Sequence, residues 1–208
     1  MKKIMMMLLM ATVALTASAQ NTLRENGTFT LQPKVGIGIG ALSGDYVTLA
    51  GVDRKSRVGF VAGVEGEYYV NDWLGIAAGL NYAQQGWKFK GGAVDETTKL
   101  DYLNIPVTAD FYVTKGLALK TGVQLGFLMN SKVESVDIKD ACSKVNFSIP
   151  IGISYEISNV VLDLRYNMAL TKTNKDNNVI GVIGANGYSV TKGRSDLLQI
   201  TLGYKFSL

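Results

Sequence analysis

The chain reads as an all-β protein, an eight-stranded antiparallel up-and-down transmembrane β-barrel, and three observations point there. Seven changes of direction divide it into eight stretches of alternating side chains. The connections run long, short, long, short, long, short, long: Asn71-Asp72, Thr114-Lys115-Gly116 and Ser158-Asn159 are short, and the long ones lie near 43–57, 86–100, 131–143 and 172–194. One face of each stretch is apolar and the other is polar or small. Tight periplasmic turns, long outer loops and two chain ends on the inner side are how bacterial outer-membrane barrels are built.

Successive side chains of a strand point to opposite faces, so a period of two assigns each residue a side. The first strand, beginning as early as Phe29, sets Val35, Ile37 and Ile39 against Gly36, Gly38 and Gly40. The second sets Phe60, Ala62, Val64 and Tyr68 against Val61, Gly63, Glu65 and Glu67. In the third, Leu74, Ile76, Ala78, Leu80 and Tyr82 oppose Gly75, Ala77, Gly79 and Asn81; in the fourth, Leu103, Ile105, Val107, Ala109 and Phe111 oppose Tyr102, Asn104, Pro106, Thr108 and Asp110. The fifth runs from Lys115 to Met129, with Leu117, Leu119, Val123, Leu125 and Phe127 opposite Ala118, Lys120, Gly122, Gln124 and Gly126. From Ser143 to Ile157 the sixth alternates Val145, Phe147, Ile149, Ile151, Ile153 and Tyr155 with Lys144, Asn146, Ser148, Pro150, Gly152, Ser154 and Glu156. The last two set Val160, Leu162, Leu164, Tyr166 and Met168 against Val161, Asp163, Arg165, Asn167 and Ala169, then Leu198, Ile200, Leu202, Tyr204 and Phe206 against Leu197, Gln199, Thr201, Gly203 and Lys205.

Alternation alone also fits a soluble carrier barrel, whose apolar face lines a cavity. Side-chain size separates the two. The polar face is rich in glycine and alanine, as a narrow eight-stranded interior requires, and a soluble barrel would gain nothing by exposing them. Aromatics agree: Tyr68, Tyr155, Tyr204 and Phe206 fall near short-turn or terminal ends, and Tyr82, Phe127 and Phe147 near long-loop ends, forming the two belts expected at membrane interfaces.

The chain opens with Lys2 and Lys3, an apolar run from Ile4 to Leu15, and Ala17-Ser18-Ala19 before Gln20. This is the pattern of a secretory signal peptide cut after Ala19, leaving residues 20–208 as the barrel domain. The apolar run is too short to cross a roughly 30 Å hydrocarbon core as a helix. Removing it takes away two lysines, so the formal charge falls from +4 to +2. No basic stripe with interleaved aromatics is present, and nucleic-acid binding is not expected.

Cys142 is the single cysteine, in a polar loop, and reads as incidental. The chain has no histidine, which removes the commonest general base and metal ligand. Neither a Ser/His/Asp set nor a metal-ligand spacing is found, so no cofactor and no enzymatic activity are expected. Gly36-Ile37-Gly38-Ile39-Gly40 has no helix after it to receive a phosphate and reads as strand glycines.

The inward face carries Glu65, Glu67, Asp110, Glu156 and Asp163 against Lys34, Lys120, Lys144, Arg165 and Lys205. Unmatched charges in a narrow, dry lumen would cost several kcal/mol each, so equal numbers of acids and bases point to an ion network plugging the interior. A charged pore or proton path is the alternative.

Pro33-Lys34-Val35-Gly36, Arg57-Val58-Gly59-Phe60 with Gly63-Val64-Glu65, Gly79-Leu80-Asn81-Tyr82 before Gln84-Gln85-Gly86, Tyr102-Leu103-Asn104-Ile105-Pro106 and the closing Gly203-Tyr204-Lys205-Phe206 resemble the porin-like outer-membrane β-barrel family that includes PorT-type proteins. The resemblance implies an outer-membrane location in a Gram-negative cell and leaves the activity open. Ser207 and Leu208 follow Phe206, whereas such barrels often finish on an aromatic. The expected protein is a monomeric barrel in outer-membrane lipid with a plugged lumen, structural or adhesive, binding a protein partner through its outer loops. Within the last of these, Val179-Ile180-Gly181-Val182-Ile183 and Ala185-Asn186-Gly187 suggest a hairpin above the membrane. A narrow channel for small solutes or ions, and an accessory role in secretion or gliding, are the alternatives.

Overall fold

The computed structural model describes residues 26–47, 53–91, 94–133, 136–173 and 189–208. The signal segment and the suggested 179–187 hairpin lie outside them. Eight long strands form the wall: β1 Phe29–Val47, β2 Asp53–Asn71, β3 Leu74–Gly91, β4 Val94–Tyr112, β5 Leu117–Val133, β6 Val145–Ile157, β7 Val160–Ala169 and β8 Ser189–Tyr204. Each pairs antiparallel with its neighbour in sequence, and β1 closes the ring on β8 with Ile37 opposite Ile200 and Gly36 opposite Thr201. Phe206–Ser207 extends that seam along Leu31 and Thr30.

The alternation read from the sequence governs which way residues point. In β7, Val161, Asp163, Arg165, Asn167 and Ala169 are buried while Val160, Leu162, Leu164, Tyr166 and Met168 are exposed on the outer wall. Eight strands leave room inside for side chains and nothing larger, which is why small residues recur there. A β-carbon on Gly63 would strike the Asn81 amide oxygen and the Leu80 carbonyl, and one on Gly75 would strike the Glu67 carboxylate. Among the described residues no helix is long and apolar enough to cross a membrane; the strands do it.

The inner turns match the sequence reading closely. The first lies at Asp72-Trp73 rather than Asn71-Asp72, because Asn71 still pairs with Leu74 and its Oδ1 accepts from Trp73 N at 3.1 Å. Ser158 turns the third with φ 56°. Trp73, which the sequence reading left out of the inner aromatic belt, is 55% exposed and stacks on Phe111 at 6.2 Å.

Two expected outer loops are corrected. Residues 43–57 and 86–100 are mostly strand: β1 continues to Val47 and β2 starts at Asp53, while β3 continues to Gly91 and β4 starts at Val94. At 18 or 19 residues, these strands exceed the roughly 9–11 needed to cross hydrocarbon at a tilt. The physical reason is that polarity inverts above the bilayer. Trp87 and Phe89 keep the inward direction of Asn81 and Ala83 and are fully buried, while Lys88 and Lys90 are exposed. There the sheet has water outside and an apolar core within, so an outward apolar face is no longer the mark of a strand. The third outer connection contains the short pair Val136–Asp137 against β5 and one 3-10 turn at Lys139–Ala141.

The inversion is seated on Gly86. Its φ of +126° favours glycine, and a β-carbon there would meet the Thr98 carbonyl oxygen. The β2–β3 register shifts just beside it, between Ser56 and Val61. Gly86→Ala is expected to lower stability by about 1–3 kcal/mol, read as an earlier urea midpoint in lipid vesicles; an unchanged midpoint contradicts this account.

Candidate functional site: the barrel interior

Three levels fill the axis. Nearest the inner end, Glu67 and Tyr69 on β2, Tyr112 on β4, Glu156 on β6 and Lys205 just after β8 converge. Lys205 Nζ lies 2.9 Å from Glu67 Oε2 and 3.2 Å from Glu156 Oε2, and donates to Tyr69 Oη at 2.8 Å. Tyr112 Oη donates to Glu67 Oε1 at 2.5 Å. The ammonium also faces the Tyr69 and Tyr112 rings at 5.5 and 5.7 Å.

Above it sits a second cluster. Glu65 on β2 receives Lys34 Nζ at 2.6 Å, Lys120 Nζ at 3.0 Å and Arg165 NH1 at 3.2 Å. Asp163 takes Arg165 NH2 at 2.9 Å and Lys120 at 3.3 Å. Lys120 also forms an ion pair with Asp110 Oδ2 at 2.9 Å, and Asp110 Oδ1 accepts from Thr108 Oγ1 at 2.8 Å. Side chains of Lys34, Asp110, Asp163 and Arg165 are 0% exposed.

Lys144, expected to face inward, is exposed. Its carbonyl accepts from Leu128 N at the very edge of the sheet, and β6 begins only at the next residue. The interior of the described residues therefore holds five named acids against four bases: three and three in the upper cluster, and Glu67 with Glu156 against Lys205 in the lower. The two tyrosine hydroxyls, unforeseen from the sequence, supply the hydrogen bonds that a missing base leaves open. Their signal was the parity itself, since Tyr69 continues Glu65 and Glu67 and Tyr112 continues Thr108 and Asp110.

Polar amides follow, with Asn81 opposite Asn104 and Asn104 opposite Gly126. The outer level is an apolar stopper of Leu42, Trp87, Phe89, Leu100, Tyr102 and Leu128. Cys142 is buried in this stopper, 3.2 Å from Ser131 Oγ, which corrects its reading as an incidental residue of a polar loop. Burial pushes its thiol above the ordinary cysteine range, against the opposing pull of the Ser131 contact, and so disfavours the reactive thiolate.

A closed antiparallel cylinder, apolar on its outer wall and ionic along its axis, defines an integral outer-membrane β-barrel. The chain belongs to the outer membrane protein beta-barrel domain family, whose model matches residues 18–175. It is located in the outer membrane, its wall embedded in lipid. Among solved structures it is similar to Ail, the attachment invasion locus protein of Yersinia pestis, at 14% identity and TM-score 0.46, covering 87% of this chain and 99% of that one. It is also similar to the outer membrane protein OprG from Pseudomonas aeruginosa at 13% identity and TM-score 0.48, covering 88% and 99%. Neisserial surface protein A gives 22% identity and TM-score 0.45, covering 86% and 97%. These likenesses concern the fold. No curated protein sequence matches the chain.

Removing one partner from a buried ion cluster strands the others. Glu65→Gln leaves Lys34, Lys120 and Arg165 facing two carboxylates and is expected to lower stability by about 3–5 kcal/mol. Lys144→Gln, at an exposed position, should stay within about 0.5 kcal/mol of the parent. Urea unfolding of both variants in vesicles checks the contrast.

Proposed function

We propose that the protein is a closed outer-membrane barrel, structural rather than conducting or enzymatic, which acts by presenting its outer β-structure to a partner outside the cell. The observation that carries this reading is the burial along the axis. Lys34, Asp163 and Arg165 at the level of the ion cluster, and Trp87, Phe89 and Leu100 at the outer level, have no solvent-accessible side-chain surface or nearly none. A water-filled pore would leave the side chains lining it within reach of water.

The second support is the continuation of β1 to β4 beyond the length a membrane requires. Their inward side is packed around Trp87 and Phe89, so the outer hairpins rise from a hydrogen-bonded, filled platform. The lumen ion network of Glu65, Glu67, Asp110, Lys120, Glu156, Asp163, Arg165 and Lys205, with Lys34, belongs to this reading as a plug that holds the strands in register. On the same reading the chain is exported by its first 19 residues, matures as 20–208 and works as a monomer. The PorT-type resemblance supports a second reading, a place beside secretion or gliding machinery, for which copurification of a component of that machinery is the test.

Planar-bilayer recording tests the closed lumen. The refolded protein is expected to give no stable conductance steps. Regular steps whose size changes with Arg165→Ala or Asp110→Ala would establish the narrow channel instead.

A further inference from the structure

Where the apolar wall ends at the outer side, the outward face carries a charge pattern that the interior does not explain. On β2 to β5 the outward apolar residues end near Val58, Tyr82, Leu103 and Met129. Beyond them stand Lys55, Lys88, Lys99 and Lys132, one on each of four adjacent strands and all exposed. Lys55 is directly opposite Lys88, and Lys99 is directly opposite Lys132. Thr97 faces Lys88 across β3 and β4, which sets Lys99 on the adjoining diagonal. Like charges directly opposite in a sheet are destabilising, and among the described residues none of the four forms an ion pair.

The neighbouring acids are otherwise engaged. Asp101, one position below Lys99 on that face, accepts from Asn130 Nδ2 at 3.2 Å. Asp196, on the outward side of β8, accepts from Tyr166 Oη at 2.7 Å and from Ala169 N at 2.9 Å. One pair farther out, the same sheet does alternate its charges: Asp53 lies opposite Lys90 and Lys90 opposite Asp95, with Lys90 Nζ 3.6 Å from Asp95 Oδ2. Asp137, directly opposite Lys132 on the short outer pair, accepts from Lys139 N at 2.8 Å and, among the described residues, forms no ion pair with Lys132. At the inner rim the exposed turns carry Lys115 and Asp72, one of each sign.

We propose that Lys55, Lys88, Lys99 and Lys132 form a collar that binds the phosphates of outer-leaflet lipid headgroups. A row of bases at the end of an apolar wall meets the plane in which lipid phosphates lie, and each such base near an anionic surface adds to its attraction. The repulsion between the opposed lysines is relieved when phosphate bridges them. A soluble polyanion would meet the same charges, but it would not account for their position at the end of the apolar wall, where Val58, Tyr82, Leu103 and Met129 close the outward apolar face.

The test uses the refolded full chain in phosphatidylcholine nanodiscs containing a trace of either bisphosphorylated lipid A or its dephosphorylated counterpart, with lipid retained by the protein as the readout. The expected result is a preference of about tenfold or more for the phosphorylated lipid, falling to near parity in K55Q/K88Q/K99Q/K132Q and, without any substitution, in roughly 1 M salt. Equal retention by the parent protein, or a preference that survives in the quadruple variant, overturns the proposal. So does heparin binding to the detergent-solubilised protein that matches the lipid in strength and in dependence on the four lysines, since the collar would then serve a soluble polyanion. In neutral detergent the variant should keep the parent's heat-dependent gel mobility and resist urea at least as well, because opposed like charges have been removed. That mobility reports barrel formation separately from phosphate preference.

Discussion

A charged side chain on a strand that crosses hydrocarbon has to turn toward the axis and meet its counter-charge there. This constraint organises the barrel. Glu65, Asp110, Lys120, Asp163 and Arg165 come from β2, β4, β5 and β7, and no two neighbouring strands could satisfy all of them. Only the closed ring brings Arg165 within 3.2 Å of Glu65, which lies 100 residues away in the chain. Closure and charge pairing therefore depend on each other. An open sheet would leave these groups unmatched in a poorly hydrated space, where each costs several kcal/mol. Matching is close without being complete, since Arg165 Nε and Asp163 Oδ1 have no hydrogen-bond partner among the described residues.

Above the bilayer the same strands obey the opposite rule. Water replaces lipid outside, and the interior becomes apolar, with Trp87, Phe89 and Leu100 where carboxylates and ammonium groups lie lower down. The change takes place within a few residues of Gly86, whose backbone and register shift accommodate it. The molecule is thus a membrane barrel whose outer strand extensions, β1 with β8 and β2 through β5, surround a small apolar core of their own. The lysine row marks the boundary between the two.

Side-chain direction was legible in the sequence wherever the bilayer imposed one polarity, as along Val145 to Ile157 and Val160 to Ala169. It failed where that polarity ended. An outward apolar face marks a strand only within the bilayer, so Trp87 and Phe89 read as loop, and alternation extended one residue before Val145 points Lys144 inward. The periplasmic turns were readable to within a residue. Height along the axis was not, because a period of two gives the face and says nothing about which strand's residue comes alongside. The division into two ion clusters, and the entry of Tyr69 and Tyr112 into the lower one, follow from the stagger of eight strands, which no local pattern records.

The central claim is that the ion cluster around Glu65 is closed to water on both sides. Solvent exchange of the Arg165 guanidinium protons, followed by NMR on the protein in lipid nanodiscs, measures this directly. The account predicts protons protected far beyond those of an exposed arginine such as Arg194, together with cross-peaks placing Arg165 beside Glu65 and Asp163. Exchange as fast as at Arg194 would mean that water reaches the axis, and the lumen would then be an open path.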